Sequence, residues 1–169
     1  GATVIADYGH NPDAIAALVA GVENMTAERR SVVISGAGDR RDEDIRGQTR
    51  ILGSAFDSVV LYQDACQRGR ADGEVLALLR QGLQGARRTR NVVVIQGEFT
   101  AIDHAMDRLN AGDLCLILID QVEDALAHIQ RRVSEAAPTP VKVAARKSAS
   151  ARKPKRSKAD ATVALGLRL

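Results

Sequence analysis

The chain has 169 residues, of which 45% are apolar and only 2% aromatic, and its formal net charge is +3. This length suits one domain of about 100–150 residues with a shorter appended segment, and Val, Ile, Leu and Ala must fill the core. No apolar run approaches the roughly 20 residues of a membrane span, and the first residues do not resemble a signal peptide. We therefore expect a cytoplasmic protein without a membrane anchor.

The first predicted strand, residues 3–6, runs into a polar corner with the sequence Asp7-Tyr8-Gly9-His10-Asn11-Pro12. Residues 13–22 have the apolar spacing of a helix, for which Asn11 is a preferred N-cap and Pro12 a suitable first residue. The corner thus places a helix N-terminus, with its free amides, beside a carboxylate, a phenol, an imidazole and a carboxamide. This arrangement makes a candidate ligand site. A capped helix with merely exposed polar residues is the alternative.

Further along the chain, strands and helices continue to alternate. The other predicted strands are residues 31–35, 58–62, 91–95 and 114–119, and the other predicted helices are residues 42–56, 72–84, 98–109 and 121–132. Every strand is a continuous apolar run, which predicts a mainly parallel sheet covered on both faces, the doubly wound α/β class. Ligands of such sheets bind at the carboxyl ends of the strands. The pattern leaves the strand order open.

The C-terminal segment differs from the rest in charge and in composition. Residues 133–169 contain nine Lys/Arg and two acidic residues, and three prolines interrupt them without any apolar periodicity. We therefore predict a domain over residues 1–132 and a basic, Ala/Lys/Pro-rich disordered tail over 133–169. The tail has no aromatic residue for base stacking, so a spacer role is favoured over contact with nucleic acid.

Several kinds of site find no support in the sequence. Cys66 and Cys115 are predicted to be reduced thiols, with Cys115 inside the fifth strand, and neither has a partner at the spacing of a zinc site. No P-loop sequence occurs anywhere in the chain. The glycines of residues 36–38 lack the third glycine of a dinucleotide fingerprint, so there is no strong case for NAD.

Two stretches of the chain resemble a known family. Residues 7–14, Asp-Tyr-Gly-His-Asn-Pro-Asp-Ala, resemble the signature that opens the C-terminal domain of Mur ligases, which form amide bonds at the expense of ATP. Residues 36–45, Gly-Ala-Gly-Asp-Arg-Arg-Asp-Glu-Asp-Ile, are similar to a run in cyanophycin synthetases, whose C-terminal part is Mur-like and which polymerise aspartate and arginine. Residues 67–70 and 112–114 fall at matching places. The resemblance covers roughly residues 2–130 and implies a Rossmann-like sheet with an added antiparallel strand.

The resemblance also implies nucleotide contacts at the first corner. Asp7 matches the aspartate that reaches the ribose, and His10 and Asn11 match residues beside the nucleotide and its phosphates. Tyr8 is placed to stack or hydrogen-bond near the base, with a plain packing role as the alternative. These four residues form the predicted nucleotide-binding set.

The loops after the second and third strands are the predicted contacts of the incoming amino acid. Arg40 and Arg41 lie where several Mur ligases meet its carboxylate, a task that suits a bidentate guanidinium. The alternative is that both arginines pair in solvent with neighbouring aspartates. If the amino acid is arginine, Asp64 is the candidate partner of its guanidinium. Many cyanophycin synthetases have several acids in this loop, so the identity of the amino acid stays open. Arg70 is a candidate for binding an acidic partner, or it flanks a helix start.

The reaction implied by the resemblance is the phosphorylation of a carboxylate by ATP with Mg²⁺, followed by attack of an amine on the acyl phosphate. In Mur-like ligases the P-loop and the magnesium site belong to the preceding central domain, over which this domain closes. We therefore expect no catalytic residue in this chain, no turnover by the chain alone, and a homo-oligomeric full-length enzyme. Its expected substrates are ATP, an amino acid (arginine by resemblance) and a peptide or polymer acceptor.

Two other readings of the sequence remain. One is another Mur-like ligase, of the muramyl-peptide or folylpolyglutamate type. The other is a non-catalytic Rossmann-like module that displays a basic tail to nucleic acid.

Overall fold

Five strands and five helices alternate along the part of the chain that the computed structural model describes, residues 1–136. The strands are β1 (Thr3–Asp7), β2 (Arg30–Ile34), β3 (Ser58–Gln63), β4 (Asn91–Gln96) and β5 (Leu114–Leu118). The helices are α1 (Pro12–Glu23), α2 (Asp42–Ala55), α3 (Glu74–Gly82), α4 (Glu98–Met106) and α5 (Val122–Ala136). The predicted alternation is confirmed.

The strands form one sheet in the order β1-β5-β2-β3-β4, and every neighbouring pair is parallel. The last strand lies between the first two, because Leu114 is in register with both Thr3 and Arg30. The Rossmann-like, doubly wound class is therefore confirmed, and the order that the sequence left open is now determined. The added antiparallel strand implied by the resemblance is not found within residues 1–136.

Helices cover both faces of the sheet, and each face has its own apolar core. Helices α1, α2 and α3 pack on one face against side chains that include Val32, Leu61 and Leu116. On the other face α4 and α5 pack against side chains that include Val33, Val60 and Ile117. Alternate residues of each strand thus point to opposite cores, which explains why the strands read as continuous apolar runs.

The helix ends differ from the sequence prediction at three places. Helix α3 is shorter than residues 72–84, and α4 ends three residues before the predicted residue 109. Helix α5 is longer than predicted, because the buried stripe of Ala125 and Ile129 continues four residues on to Val133. The first four residues of the predicted tail therefore belong to α5, and residues 137–169 lie outside the described part. No helix within residues 1–136 combines the length and the apolar character that a membrane crossing needs.

Removing residues 137–169 is expected to leave the melting temperature of the domain nearly unchanged, because α5 completes its core before residue 137. Removing residues 133–169 also takes Val133, which is 4% exposed, and should cost about 1.5–3 kcal/mol. Differential scanning calorimetry of both truncated proteins compares the two effects. A fall of more than about 4 °C in the shorter deletion would show that the tail stabilises the folded domain.

Candidate functional site

The polar corner after β1 has the predicted local structure. Asn11 is extended and caps α1, its side-chain oxygen accepting a hydrogen bond from the amide of Ala14 at 2.8 Å, and Pro12 is the first helical residue. The amide of Ile15 donates to the carbonyl of Asn11 at 3.1 Å. Because proline has no N–H, only the amide of Asp13 is left unbonded in the first turn. A ligand at this corner therefore meets this amide together with the polar side chains of residues 7–11.

An open cleft of about 500 Å³ lies at the carboxyl ends of β1 and β5. Its polar lining contains all four residues of the predicted nucleotide set together with one arginine of the second loop: Asp7, Tyr8, His10, Asn11 and Arg40. Its apolar wall comes from the end of β5 and from α5, namely Ile119, Val122 and Leu126. The fold thus brings residues of two separate loops to one cleft with a polar and an apolar side.

The aromatic and imidazole rings of the corner are stacked. The ring of Tyr8 is 4.0 Å from that of His10 at an angle of 31°, and Tyr8 remains 52% exposed. The Nδ1 atom of His10 lies 2.7 Å from the carbonyl oxygen of Tyr8, and its Nε2 atom lies 3.1 Å from Oδ1 of Asp120. The carbonyl of His10 also accepts a hydrogen bond from the buried side chain of Gln48 at 2.9 Å. The imidazole ring is therefore held by two hydrogen bonds and by the ring of Tyr8, and Gln48 fixes the backbone of the same residue.

Asp120 is a site residue that sequence reasoning missed. It follows β5, and its carboxylate also lies 3.2 Å from the Nη2 atom of Arg68, which in turn is 3.6 Å from Asp39. Its position after the carboxyl end of a buried strand was the signal that could have identified it.

Glu98, also missed, holds Asp120 in place. This carboxylate is 2% exposed and accepts hydrogen bonds from the amides of Asp120 and Gln121 at 2.7 and 3.1 Å. A buried, ionisable side chain stays in a protein interior when its oxygens are hydrogen-bonded in this way. Glu98 therefore positions the loop after β5 that reaches His10. Glu98 itself is the first residue of α4, which follows a different strand, β4. Nothing in its sequence context distinguishes it from an exposed acid in a first helical turn.

Asp64 lies at the end of β3, close to Asp120. The two aspartates line one small recess together with His10 and Arg68. Burial, and then the negative charge of Asp120, raise the pKa of the Asp64 carboxyl above its ordinary value. A cation in this recess would therefore stabilise the ionised carboxylate.

The three arginines of the predicted amino-acid set have different surroundings. Arg41 donates to Asp44 through two hydrogen bonds of 2.8 and 2.9 Å. This is the pairing in solvent that the sequence offered as the alternative to binding the amino acid. Arg40 lies in the cleft. Arg70 donates to the carbonyls of Gly38 and Arg40 at 2.7 and 2.8 Å and pairs with Glu74, so it joins the loops after β2 and β3.

The two cysteines are free thiols, one exposed and one buried. Cys115 lies inside β5, as predicted, and its burial raises the thiol pKa to about 11. Within residues 1–136 no cluster of three or more His, Cys, Asp or Glu side chains is arranged to hold a metal ion.

A doubly wound parallel sheet with a polar cleft at its carboxyl edge, beside a capped helix, defines a Rossmann-like domain, a class whose ligands commonly bind at that edge. The chain belongs to the Mur ligase family, since the family model described as the Mur ligase glutamate ligase domain matches residues 1–118.

Comparison with individual proteins agrees with this assignment. The chain is 34% identical over 128 residues to cyanophycin synthetase of Crocosphaera subtropica. This match covers 76% of the chain and 15% of the relative. It is 32% identical over 117 residues to the UDP-N-acetylmuramoyl-L-alanyl-D-glutamate–2,6-diaminopimelate ligase of Alkaliphilus metalliredigens, covering 68% of the chain and 23% of the relative. The chain therefore spans between a seventh and a quarter of the length of these relatives.

Solved structures show the same fold. E. coli FolC in complex with ADP is 26% identical, with a TM-score of 0.59 over 78% of the chain and 29% of FolC. A diaminopimelate-adding ligase of the same family is 20% identical, with a TM-score of 0.63 over 78% of the chain and 30% of that ligase.

Proposed function

We propose that this domain binds the nucleotide and the incoming amino acid within an ATP-dependent ligase that resembles cyanophycin synthetase. Such a ligase would add arginine to the side-chain carboxylate of a poly-aspartate backbone through an acyl phosphate. The observation that supports this proposal most directly is the cleft that joins Asp7, Tyr8, His10 and Asn11 to Arg40. The P-loop and the Mg²⁺ site are proposed to lie in another domain of the same enzyme, so this chain alone would not turn over.

In the nucleotide half of the site, the side chains offer a suitable partner for the ribose, the base and the phosphates. The carboxylate of Asp7 is suited to accept hydrogen bonds from ribose hydroxyls, and the exposed ring of Tyr8 offers a stacking surface for a base. His10 can oppose the negative charge that develops on the phosphates and on the acyl phosphate, and an oriented group of this kind stabilises a transition state. His10 is suited to this task because Asp120 and the carbonyl of Tyr8 orient its ring.

In the amino-acid half, we propose that Arg40 binds the α-carboxylate and that Asp64 binds the guanidinium of arginine. Arg40 is preferred over Arg41 because the guanidinium of Arg41 already makes two hydrogen bonds to Asp44. Arg70 would act indirectly, since it joins the two loops that carry Arg40 and Asp64. Asp64 is the carboxylate of this recess that is proposed for the cationic side chain, since Asp120 already contacts Arg68 and His10.

The experiment that tests the proposal is phosphate release by the full-length enzyme given ATP, Mg²⁺, an aspartate-chain primer and one amino acid at a time. Arginine is expected to support release, and lysine to support much less, because an ammonium lacks the planar fork of a guanidinium. Asp64→Asn keeps the shape of the side chain and removes its charge. It should weaken the use of arginine about tenfold, the lower end for a hydrogen bond to a charged group, since Asp64 is only half-buried.

The two neighbouring arginines provide a matched pair for the carboxylate contact. Arg40→Gln should raise the KM for the amino acid far more than the KM for ATP, whereas Arg41→Gln should change neither. Equal arginine-dependent release in wild type and Asp64→Asn would remove Asp64 from the site. If no amino acid but glutamate or diaminopimelate supports release, the enzyme belongs to another branch of the family and the arginine assignment is wrong.

A further inference from the structure

A second recess, of about 270 Å³, lies at the amino ends of β2, β3 and β4, at the edge of the sheet opposite the nucleotide cleft. The last turn of α4 and the residues after it close the recess from above. Its basic lining consists of Arg29, Arg90, Arg108 and His104, and its apolar lining of Val60, Ala105 and Leu109. None of these residues contributes to the site described above.

The floor of the recess is a row of small polar residues on three adjacent strands. Ser31 is in register with Ser58, and Ser58 is in register with Asn91. The side-chain amide of Asn91 donates to the hydroxyl of Ser58 at 3.1 Å, which leaves the hydroxyl proton of Ser58 available to another acceptor. The same face of the sheet is otherwise apolar, as at Val33 and Val60. A polar row beneath a helix therefore departs from what packing alone would favour.

The balance of charge around the recess is positive. Its one carboxylate, Asp57, is already bonded to Arg88 through two hydrogen bonds of 2.9 Å, and Arg29 is paired with Asp113 at 2.8 Å. Among residues 1–136 no acidic side chain lies within ion-pair distance of Arg90 or Arg108. Two guanidinium groups thus face the recess with their charges uncompensated by nearby acids.

We propose that this recess binds a small molecule that carries a phosphate or carboxylate group on an apolar body. The guanidinium groups of Arg90 and Arg108 and the hydroxyl of Ser58 would hold the anionic group, since charge-assisted donors of this kind match its oxygens. Val60, Ala105 and Leu109 would contact the apolar body. The volume of the recess lies just below the roughly 300–1,000 Å³ of typical ligand pockets, which favours a small ligand of about one ring. The proposal is independent of the proposed ligase function.

His104 provides a local readout of binding. Burial, and then the nearby charge of Arg108, lower the pKa of His104 below its ordinary value. An anion that enters the recess should raise this pKa again, because it favours the charged imidazolium. His128 lies outside both sites, beside Phe99, and serves as the internal control, whereas His10 lines the nucleotide cleft and reports on that cleft instead.

The test is a titration of the histidine ring signals of the 169-residue chain by NMR, with phenyl phosphate, with phenylacetate and with uncharged benzyl alcohol at matched ionic strength. Saturable movement of the His104 signal and a raised pKa of His104 are expected with an anion, and no change is expected with benzyl alcohol. The anion with the lower Kd identifies whether the ligand group is a phosphate or a carboxylate. Equal, unsaturable shifts of His104 and His128, or no shift of His104 with either anion, would overturn the proposal.

Substitutions in the recess complete the test. The double variant Arg90→Gln/Arg108→Gln should weaken binding at least tenfold, because both uncompensated charges are removed. Arg87→Gln removes one exposed arginine that does not line the recess and should leave the Kd unchanged. Circular dichroism of each variant checks the fold. Unchanged affinity in a folded double variant, or an equal loss in Arg87→Gln, would show that binding does not occur in this recess.

Discussion

Asp7→Ala in the full-length ligase is expected to reduce kcat/KM for ATP by about 10–100-fold, which corresponds to about 1.4–2.8 kcal/mol of transition-state stabilisation. The carboxylate stands at the end of β1 and lines the cleft beside the N-terminus of α1. Its removal would leave ribose hydroxyls without their proposed acceptor, while the backbone of β1 would keep its pairing with β5, because Ile119 donates to the carbonyl of Asp7 rather than to its side chain. Steady-state kinetics with varied ATP measure the effect.

The matched control for this substitution is Asp13→Ala. Asp13 is an exposed aspartate in the first turn of α1 and does not line the cleft. Its removal should cost about 0.3–1 kcal/mol of helix stability through the helix dipole and leave the kinetics for ATP nearly unchanged. Unchanged kinetics in a folded Asp7→Ala enzyme, or an equal loss in both variants, would contradict the assignment of Asp7 to the nucleotide.

Gly82→Ala is expected to destabilise the domain by about 3 kcal/mol, the upper part of the usual range for overpacked interiors. A Cβ atom at Gly82 would lie 2.2 Å from the carbonyl oxygen of Arg46 and 2.2 Å from Oγ1 of Thr49, both on α2. Thr49 is fully buried and donates to the carbonyl of Leu79 on α3 at 2.7 Å, so neither helix can move away without breaking this contact. Urea denaturation followed by circular dichroism gives the free energy of unfolding.

The opposite sign is expected for the same substitution in α1. Gly21 lies inside that helix, and a Cβ atom there would meet no heavy atom within 4 Å. Gly21→Ala should therefore stabilise the domain by about 0.5–1 kcal/mol, because alanine loses less backbone entropy on folding. If both variants changed stability in the same direction, close packing of α2 against α3 would not be the reason for the glycine at position 82.

Much of the fold follows from local patterns in the sequence. Continuous apolar runs predict buried parallel strands, and Asn11-Pro12 predicts the start of α1. Both features could be predicted because they are determined by residues that are close in sequence. The end of α5 was placed too early because Pro138 and the basic composition beyond it suggested a boundary at residue 133. The spacing of Ala125, Ile129 and Val133 overrides that boundary, as each residue completes the same buried stripe.

The site was predicted only in part, because much of it depends on strand order and register. The corner of residues 7–12 could be found as one continuous stretch. The contact of His10 with Asp120 joins residues more than a hundred positions apart and exists only because β5 lies beside β1. The alignment of Ser58 with Asn91 likewise results from pairing between strands, which local composition does not reveal.

The place of β5 between β1 and β2 has a consequence for how the domain folds. Strands β1 and β2 are both hydrogen-bonded to β5 and not to each other, so the first strand has no partner in the sheet until the last one arrives. During synthesis, β2, β3 and β4 can pair as soon as they emerge, whereas β1 must wait for residue 118 to complete its partner strand. Pairings between such distant parts of a chain slow folding, because the entropy of closing a long loop is lost before the contacts form. The corner that carries Asp7 and His10 is therefore completed in the final step, and a ribosome stalled within β4 would hold a chain whose cleft does not yet exist.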